Sequence, residues 1–293
     1  MEHITAKVSC FARAYHLKNN KTCVFCDDAA ETLLGNDYRV IADNLKQGAS
    51  FFLPDFSGSS DDALRLITER QLAPSVLARS AFCENALENE ISLGTKQYVI
   101  FASGFDTWGI RNSKRPISVF ELDLPEMIKD KNARIASANC ISSSVFVPCN
   151  LSDTAWIYAL EQSGFDKKSK VFGRLLGISY YLDSAEFSSL LKNISRIFTE
   201  GSALCFDYPM KNGGKETQIN SKLASGAGEP MKSEYTYGEI EKLLSDTGFL
   251  IYEHLDSKEA TDRFFTKYNA SNPKHPMYAP EGVGYCLAVK KNF

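Results

Sequence analysis

The stretch that decides the fold is Tyr98-Val-Ile-Phe-Ala-Ser-Gly-Phe-Asp-Thr-Trp108, followed after a polar break by Ser118-Val-Phe-Glu-Leu-Asp-Leu-Pro125. The first part is apolar and ends in a turn of small residues, and the second is strand-like and reaches Asp123, 19 positions after Gly104. This spacing is typical of a nucleotide-binding α/β half, in which the acid that ends the second strand binds a ribose. The stretch therefore predicts a ligand that contains a ribose.

The chain from Gly94 onwards alternates between strand-like and helix-like patterns. Seven strands are predicted, at residues 97–102, 118–122, 145–147, 170–176, 202–208, 249–253 and 285–290. Four helices are predicted between them, at residues 124–131, 155–162, 184–198 and 237–247. This alternation predicts an α/β fold with a mostly parallel seven-stranded sheet, helices on both faces and a C-terminal antiparallel strand.

The region before this sheet has a helical pattern from Val8 to Glu90, in which Pro74 is expected to break or begin a helix. We expect residues 1–94 to form an N-terminal helical cap that belongs to the same domain as a core at residues 95–293. Within that core, residues 210–232 are rich in Gly, Ser and Lys and follow a strand directly. Loops at this place lie over the ligand crevice of an open α/β sheet, so the insertion is either a mobile lid or a solvated loop without a role.

The composition excludes several kinds of partner and location. The 293 residues are 44% hydrophobic with a net charge of −3, and Lys and Arg form no basic stripe, so no nucleic acid is expected. No apolar run approaches the roughly 20 residues that span a bilayer, and the N-terminus lacks a secretion-signal pattern. We therefore expect a cytoplasmic protein without membrane contact.

The eight cysteines form no disulfide framework, which also fits a reducing compartment. Cys23 and Cys26 have the spacing of a redox or zinc pair, but no second pair accompanies them. Two packed thiols are the favoured interpretation, and no metal site is expected.

The turn after the first strand indicates which nucleotide is bound. A dinucleotide fold would show Gly-x-Gly-x-x-Gly, whereas this chain reads Ala102-Ser-Gly-Phe-Asp106 with a single glycine, so pyrophosphate and a nicotinamide cofactor are disfavoured. An adenosine that carries a cationic centre instead of phosphates suits an acidic loop, and S-adenosylmethionine is such a ligand. The Asp123 carboxylate can accept bonds from both ribose hydroxyls, and Glu121 faces the same side of the strand.

Several motifs in order resemble the leucine carboxyl methyltransferase-like family of S-adenosylmethionine-dependent methyltransferases, including its bacterial O-methyltransferase branch. They run from Phe11 to Tyr208 and are Arg13-Ala14, Asp27-Asp28-Ala29-Ala30, Ala78-Arg79-Ser80, Gly104-Phe-Asp106-Thr107, Phe120-Glu-Leu-Asp-Leu-Pro125, Val147-Pro-Cys-Asn-Leu151, Gly164-Phe-Asp166 and Tyr181-Leu182. The resemblance implies the Rossmann-like fold of class I methyltransferases. It also implies S-adenosyl-L-methionine as cofactor and S-adenosyl-L-homocysteine as product.

The resemblance also implies roles for single residues. Arg79 would hold the carboxylate of the methionine part, because a guanidinium binds a carboxylate through two hydrogen bonds. Ser103, Gly104 and Asp106 would pass close to the methionine and ribose. Asp123 and Glu121 would bind the ribose, Asn150 and Leu151 would border the adenine, and Gly177 would lie near the methionine end. Each has a plain alternative: Arg79 a surface arginine, Asp106 a helix N-cap, and Glu121 a strand-edge charge.

This chain departs from the family pattern at four positions. Leu176 stands where the family has Glu, Asn150 where it has Asp, Ala102 where it has Gly, and Trp108 where it has Arg. The loss of an acid near the cofactor would weaken binding by about 1.5–3 kcal/mol. A non-catalytic or weakly cofactor-binding member that acts through protein interactions is therefore the alternative function.

The expected reaction is methyl transfer to oxygen by in-line displacement, which mainly requires alignment of two groups and exclusion of water. A small-molecule carboxylic acid is the expected acceptor, with a hydroxyl as the other possibility, and a carboxylate needs no general base at neutral pH. The four histidines lie near the ends of the chain, and each is interpreted as a surface or capping residue. No catalytic residue is assigned; Tyr181 and Tyr208 are candidates for positioning the acceptor. The acceptor's identity and the oligomeric state are left open.

Overall fold

The computed structural model describes residues 3–211, 213–226 and 228–291. The ends of the predicted cap and core, 1–2 and 292–293, lie outside the described residues, as do positions 212 and 227 of the predicted insertion. All seven predicted strands are found. They are β1 Gln97–Phe101, β2 Ser118–Asp123, β3 Ser144–Pro148, β4 Val171–Leu175, β5 Ala203–Pro209, β6 Phe249–Leu255 and β7 Val283–Lys290.

The strands form one sheet in the order β3-β2-β1-β4-β5-β7-β6. The first five of these pair in parallel, whereas β7 lies antiparallel to both β5 and β6. Every residue of β1, β4 and β5 is buried, which accounts for sequences that are apolar apart from Gln97, Arg174 and Asp207. The predicted α/β fold of the class I methyltransferase type, with its C-terminal antiparallel strand, is confirmed.

Six helices precede the sheet. They are α1 Ile4–Asn19, α2 Ala30–Leu34, α3 Asp37–Gln47, α4 Ala49–Phe52, α5 Ser60–Ile67 and α6 Ala73–Ser92. A π-helical turn, Thr68–Leu72, joins α5 to α6, and Pro74 lies in the first turn of α6, where its missing N–H breaks no helical bond. The break predicted near this proline is therefore observed as a change of helix type.

In the described part of the chain, eight helices lie between or after the strands. They are α7 Trp108–Arg111, α8 Pro125–Ser137, α9 Ala155–Gln162, α10 Ser184–Ile197, α11 Lys215–Gly226, α12 Tyr237–Thr247, α13 Ser257–Ala260 and α14 Thr266–Ser271. The bounds of α9 and α12 are those predicted, and α10 and α12 each begin with a capping box. Within the described ranges, no helix is long and apolar enough to cross a membrane.

The predicted insertion at residues 210–232 is not wholly a loop, because α11 occupies its middle. Residues 215–225 contain neither glycine nor proline, whereas both flank the helix. The composition of the whole segment hid this local helical preference. Whether the segment acts as a lid stays a prediction.

Helices cover both faces of the sheet, and the alternation of side chains along β1 shows how. Tyr98 and Ile100 pack in one buried cluster with residues of α6, while Val99 and Phe101 pack in a second cluster with residues of α9 and α10. A third cluster joins α1, α2 and α3 to the apolar face of α8. The early helices are thus packed beside the carboxyl ends of β1 and β2.

Candidate functional site

A cavity of about 650 Å³ opens at the carboxyl ends of the parallel strands. Its wall includes the turn after β1, the end of β2 and the residues that follow β4. One face of α6, the start of α1 and residues 228–232 complete it. Open α/β sheets bind ligands at this edge, and the volume lies within the range of about 300–1,000 Å³ that is common for small-molecule pockets.

The turn after β1 is held by the acid that ends β2. Gly104, at a φ of 49°, donates its N–H to Asp123 Oδ2 over 2.7 Å, and Leu124 donates its own to Asp123 Oδ1 over 2.7 Å. Burial raises the pKa of Asp123, and the two N–H donors oppose that rise. Each carboxylate oxygen keeps a second lone pair, so Asp123 can still accept hydrogen bonds from a ligand in the cavity.

Ser103 is the second polar group of this turn. Its side chain is buried in the cavity wall, and its Oγ has no hydrogen-bond partner among the described residues. A buried hydroxyl without a partner is uncommon in native proteins. This atom therefore fits a site that a polar ligand completes.

Arg79 of α6 lines the cavity above the residues that follow β4. Its Nη1 lies 3.4 Å from Asp207 Oδ2, and its Nη2 lies 3.4 Å from Ser9 Oγ. Gly177, at a φ of 70°, donates its N–H to Asp207 Oδ1 over 2.6 Å. A Cβ at position 177 would meet Arg79 Nη1 at 2.7 Å, so this position requires glycine.

Asp207 was missed by the sequence analysis. It is fully buried on β5, and besides Arg79 and Gly177 it accepts a hydrogen bond from Tyr180 Oη over 3.0 Å. The signal available in the sequence was a single acid inside the apolar run of β5, since a buried carboxylate requires such partners. Asp207 thus positions both the arginine and the glycine.

The two tyrosines predicted to position the acceptor lie in different places. Tyr181 lines the cavity, as does Tyr180. Tyr208 is not in the cavity wall: it is fully buried, and its Oη lies 2.8 Å from His254 Nε2. Its prediction as a pocket wall is corrected, because consecutive side chains of a strand point to opposite faces and Asp207 occupies the face towards α6.

Asp106 lines the cavity but is already engaged. It forms a buried ion pair with Arg174 of β4 and accepts the N–H of Trp108 over 2.8 Å, at the start of α7. Burial opposes its ionisation, but Arg174 and more distant cations outweigh this effect and lower the pKa of Asp106 to about 2. The carboxylate therefore has both the structural role considered in the sequence analysis and a place in the cavity wall.

Glu121 is enclosed and does not line the cavity. It forms a buried ion pair with Lys131 of α8 and accepts a hydrogen bond from Ser144 Oγ over 2.7 Å. Burial raises the pKa of Glu121, and Lys131 and Ser144 oppose this only in part. The structure thus separates Glu121 from Asp123, although both belong to one strand.

Asn150 and Leu151 also lie outside the cavity wall. Asn150 is exposed, and its Oδ1 accepts bonds from the N–H and the Oγ of Ser152, at 3.0 and 2.8 Å. Leu151 packs against the cluster that contains Trp156. Both follow β3, which is adjacent to β2, and their role at the adenine stays a prediction.

Two motifs of the early helices reach the turn after β1. Arg13 Nε donates to Asp27 Oδ2 over 2.7 Å, and its Nη2 donates to the Phe105 carbonyl over 2.7 Å. Thr107 Oγ1 also donates to Asp27 Oδ2, over 2.7 Å. Arg13 and Asp27 therefore hold the second half of the turn, a role that the spacing of the motifs did not reveal.

The histidines and the pair of Cys23 and Cys26 are the other groups considered in the sequence analysis for a chemical role. Of the four histidines, His3 lines the cavity beside the start of α1. Burial raises the pKa of the half-buried Cys23 thiol to about 12, and neighbouring Cys26 adds to the rise, which disfavours a reactive thiol at Cys23. Cys26 is exposed, so the prediction of two packed thiols is wrong for Cys26. No group of three or more His, Cys, Asp or Glu in the part of the chain that the structure describes is placed to hold a metal.

Comparison with known sequences gives a consistent result. The family model for leucine carboxyl methyltransferase matches residues 6–195. YktD of Bacillus subtilis, named as a candidate S-adenosyl-L-methionine-dependent methyltransferase, is 36% identical over 98% of this chain and 98% of its own length. A protein of Frankia alni with the same description is 30% identical over 133 residues, which are 44% of this chain and 47% of that protein.

Solved structures show the same architecture. A DUF574 family protein of Streptomyces avermitilis superposes with a TM-score of 0.60 at 12% identity and covers 97% of each chain. A protein of Thermobifida fusca, described as a candidate methyltransferase, gives a TM-score of 0.57 at 15% identity, over 98% of this chain and 94% of its own. At such low identity these two likenesses show the fold alone.

Proposed function

The chain belongs to the leucine carboxyl methyltransferase family, and from this premise we propose that it is an S-adenosylmethionine-dependent O-methyltransferase. Its cofactor is S-adenosyl-L-methionine and its product S-adenosyl-L-homocysteine. The acceptor is the carboxylate of a small molecule, with a hydroxyl as the other possible oxygen.

The observation that carries this proposal is the placement of Asp123 and Arg79 in one cavity. Asp123 ends β2, and Arg79 lies over the residues that follow β4, with the Gly104 turn of β1 between them. Arg79 lies over the residues that follow β4 and contacts Asp207 of β5, so two to three strand spacings of about 4.8 Å, or roughly 10–14 Å, separate the two groups across the sheet. A carboxylate for a ribose and a guanidinium for an amino-acid carboxylate at that separation suit the two ends of S-adenosylmethionine.

The other predicted residues support this arrangement to different degrees. Ser103, Gly104, Asp106 and Gly177 line the same cavity, and the Ser103 hydroxyl still needs a partner. For these we propose direct contact with the cofactor or its immediate surroundings. Glu121, Asn150 and Leu151 lie outside the wall, and for them we propose at most a contact at the adenine or ribose edge.

The chemistry requires little of the protein beyond alignment. When bound, S-adenosylmethionine would supply a methyl group to the acceptor oxygen and leave as S-adenosylhomocysteine with the electron pair of the broken carbon–sulfur bond, so that a carboxylate acceptor would become a methyl ester. Asp123 and Arg79 would fix the two ends of the cofactor, and Tyr181 would help to position the acceptor. A carboxylate acceptor is ionised at neutral pH, so no side chain has to remove a proton.

Water must be kept from such a site, and we propose that the cap and the 210–232 insertion do this together. Thr5 Oγ1 of α1 donates to Glu229 Oε2 over 2.5 Å, and both residues line the cavity. The main-chain N–H of Lys232 also donates to the Tyr180 carbonyl over 2.8 Å. These contacts join the start of α1, the insertion and the residues after β4 across the mouth of the cavity.

The test is calorimetric titration with S-adenosylmethionine and S-adenosylhomocysteine, with NADH as control. Micromolar binding of the first two alone would support the proposal, and mass spectrometry would then detect methyl esters in a panel of carboxylic acids. Binding of neither would contradict it and favour a non-catalytic protein that acts through protein interactions. The Leu176 and Asn150 departures keep that outcome open.

A further inference from the structure

The part of the cavity wall formed by α6 and the residues before it is apolar at one end and cationic at the other. Leu72, Val76 and Arg79 all line the cavity and follow one another at helical intervals of four and three. Leu72 and Arg79 are seven residues apart, or about 10 Å along the helix axis. The cavity therefore has a cationic end at Arg79 and an apolar end at Leu72 and Val76.

The apolar end continues onto the sheet. Leu176 after β4 and Val283 at the start of β7 also line the cavity. Val76 and Val283 belong to one buried hydrophobic cluster, and Leu72 and Leu176 pack against that same cluster. The four side chains thus border the cavity from one hydrophobic cluster, and we call them the apolar wall.

The apolar wall extends beyond the part of the cavity that the cofactor is proposed to occupy. Val283 pairs with Pro209, so it lies at the carboxyl end of β5, on the far side of β4 from β2. From β2 to β7 there are four strand spacings of about 4.8 Å, or roughly 19 Å. Because Arg79 contacts Asp207 of β5, the proposed cofactor contacts at Asp123 and Arg79 take up two to three of those four spacings, which leaves the region over β7 for a second molecule.

The charged groups of the cavity are elsewhere. Asp106 and Arg174 neutralise each other beside the Gly104 turn. Arg13 is paired with Asp27, and Lys232 is paired with Glu186. Glu229 accepts a hydrogen bond from Thr5 at the start of α1. A second charge on an acceptor would therefore lose water against the apolar wall without gaining a partner there.

We propose that the methyl acceptor is an amphiphilic carboxylic acid, with its hydrocarbon body on the apolar wall of Leu72, Val76, Leu176 and Val283 and its carboxylate directed towards the cofactor. This inference rests on the proposed function and specifies the substrate class of the same cavity. Leu176 gains a role in it: the departure from the family's Glu makes the surface beside the reacting groups apolar.

The test compares two acids of equal length, octanoate and its diacid suberate. Calorimetric titration of the protein saturated with S-adenosylhomocysteine should show octanoate binding at least tenfold more tightly than suberate, because suberate places a second carboxylate on the apolar wall. Equal or tighter binding of suberate would overturn the inference, as would the absence of binding by either acid.

A variant pair locates the effect. Leu72→Gln should weaken octanoate binding at least fivefold and leave the affinity for S-adenosylhomocysteine within twofold, because Leu72 belongs to the apolar wall and to none of the proposed cofactor contacts. The control is Leu243→Gln, since Leu243 is similarly half-buried but lies on α12 outside the cavity wall; it should change neither affinity. Unchanged octanoate binding in Leu72→Gln would overturn the inference.

The two proposals fail in different ways. If S-adenosylhomocysteine binds and octanoate does not, the apolar wall is not an acceptor site while the methyltransferase proposal stands. If S-adenosylhomocysteine does not bind, the methyltransferase proposal fails, and with it the inference that the wall holds a methyl acceptor.

Discussion

Glu121 and Asp123 lie two residues apart on β2, yet Glu121 is enclosed beside Lys131 while Asp123 opens into the cavity. Glu121 receives its hydrogen bonds from side chains of the protein, from Lys131 and Ser144. Asp123 receives its own from two backbone N–H groups and, among the described residues, faces no cation at hydrogen-bond distance. The same residue chemistry on one strand therefore serves the fold in one case and a ligand in the other.

The same contrast extends around the turn after β1. Arg13 with Asp27, and Arg174 with Asp106, are buried pairs in which each charge is neutralised within the protein. Ser103 and Asp123, by contrast, still have unused hydrogen-bonding capacity towards the cavity. Changes to the buried ion pairs should alter the stability of the fold, and changes to Ser103 or Asp123 should alter ligand binding.

The largest effect is expected from removing the cation of a buried pair. Lys131→Met leaves the Glu121 carboxylate enclosed without its partner and should lower the free energy of unfolding by about 3–5 kcal/mol in urea denaturation. Lys129→Met, on the exposed face of the same helix, should change it by about 0.5 kcal/mol or less. A loss in Lys131→Met no larger than that in Lys129→Met would show that the pair of Glu121 and Lys131 does not stabilise the fold.

The next effect is on acid stability. The pKa of Asp106 in the folded protein is about 2 and that of an unfolded Asp is about 3.9, so its ionised form contributes stability above pH 4. This contribution, about 2–3 kcal/mol, is lost as the pH falls from about 4 to 2. Asp106→Asn, which keeps an acceptor for the Trp108 N–H, should give a shallower dependence of unfolding free energy on pH in that window. A slope equal to that of the wild type would contradict the assignment.

Changing Asp123, the acid that faces the cavity, should affect ligand affinity more than the free energy of unfolding. Asp123→Asn should weaken S-adenosylhomocysteine binding by about 2 kcal/mol, roughly thirtyfold, because a charge-assisted hydrogen bond to the ribose is lost. The loss in unfolding free energy should be smaller than that of Lys131→Met. Asp43→Asn, at an exposed position of α3, is the control, and calorimetry is the measurement. Unchanged affinity in Asp123→Asn would remove the ribose assignment.

Arg79, at the other end of the cavity from Asp123, should also act on ligand binding. Arg79→Lys keeps the charge but loses the two-bond grip on a carboxylate, and should weaken S-adenosylhomocysteine about tenfold. Binding of 5′-methylthioadenosine, which lacks the carboxylate, should not change. Arg70→Lys, at an exposed position before α6, should affect neither ligand. Equal losses for both ligands would mean that Arg79 acts through the fold.

The smallest effect concerns the backbone. Ala102 has a φ of 50°, a region that L-residues with a Cβ enter only at a cost, and it stands where the family has glycine. Ala102→Gly should therefore raise the free energy of unfolding by about 1 kcal/mol, whereas Ala133→Gly within α8 should lower it by a similar amount. A loss of stability in both variants would show that Ala102 is not strained.

Strand positions were predictable because buried parallel strands are continuously apolar and are separated by turn residues. The ends of α9 and α12 were predictable for a similar local reason, since glycine follows each closely: α9 ends one residue before Ser163-Gly164 and α12 directly before Gly248. The Gly104 turn and Asp123 were also found from spacing alone.

Contacts between distant parts of the chain were not predictable in the same way. Nothing local shows that Arg13 reaches the Phe105 carbonyl, or that Asp207 lies behind Arg79 and Gly177. Glu121 is enclosed because it pairs with Lys131 of α8, whereas Asp123 is left open to the cavity. Only the packing of α8 against the sheet brings Lys131 to Glu121. Likewise, Tyr208 was assigned to the cavity from its position at the end of a strand. Whether a side chain at that position reaches the cavity depends on the face of the sheet to which it points.

The position of β7 between β5 and β6 has a consequence for the newly made chain. Lys290, at the end of β7, lies 81 residues after Pro209, at the end of β5. At about 5–20 residues per second, the ribosome needs roughly 4–16 s to make that stretch. During this time β5 has an unpaired edge and β6 has no neighbour in the sheet, and such edges recruit other chains. The nascent protein is therefore most exposed to aggregation while the stretch between β5 and the end of β7 is being made.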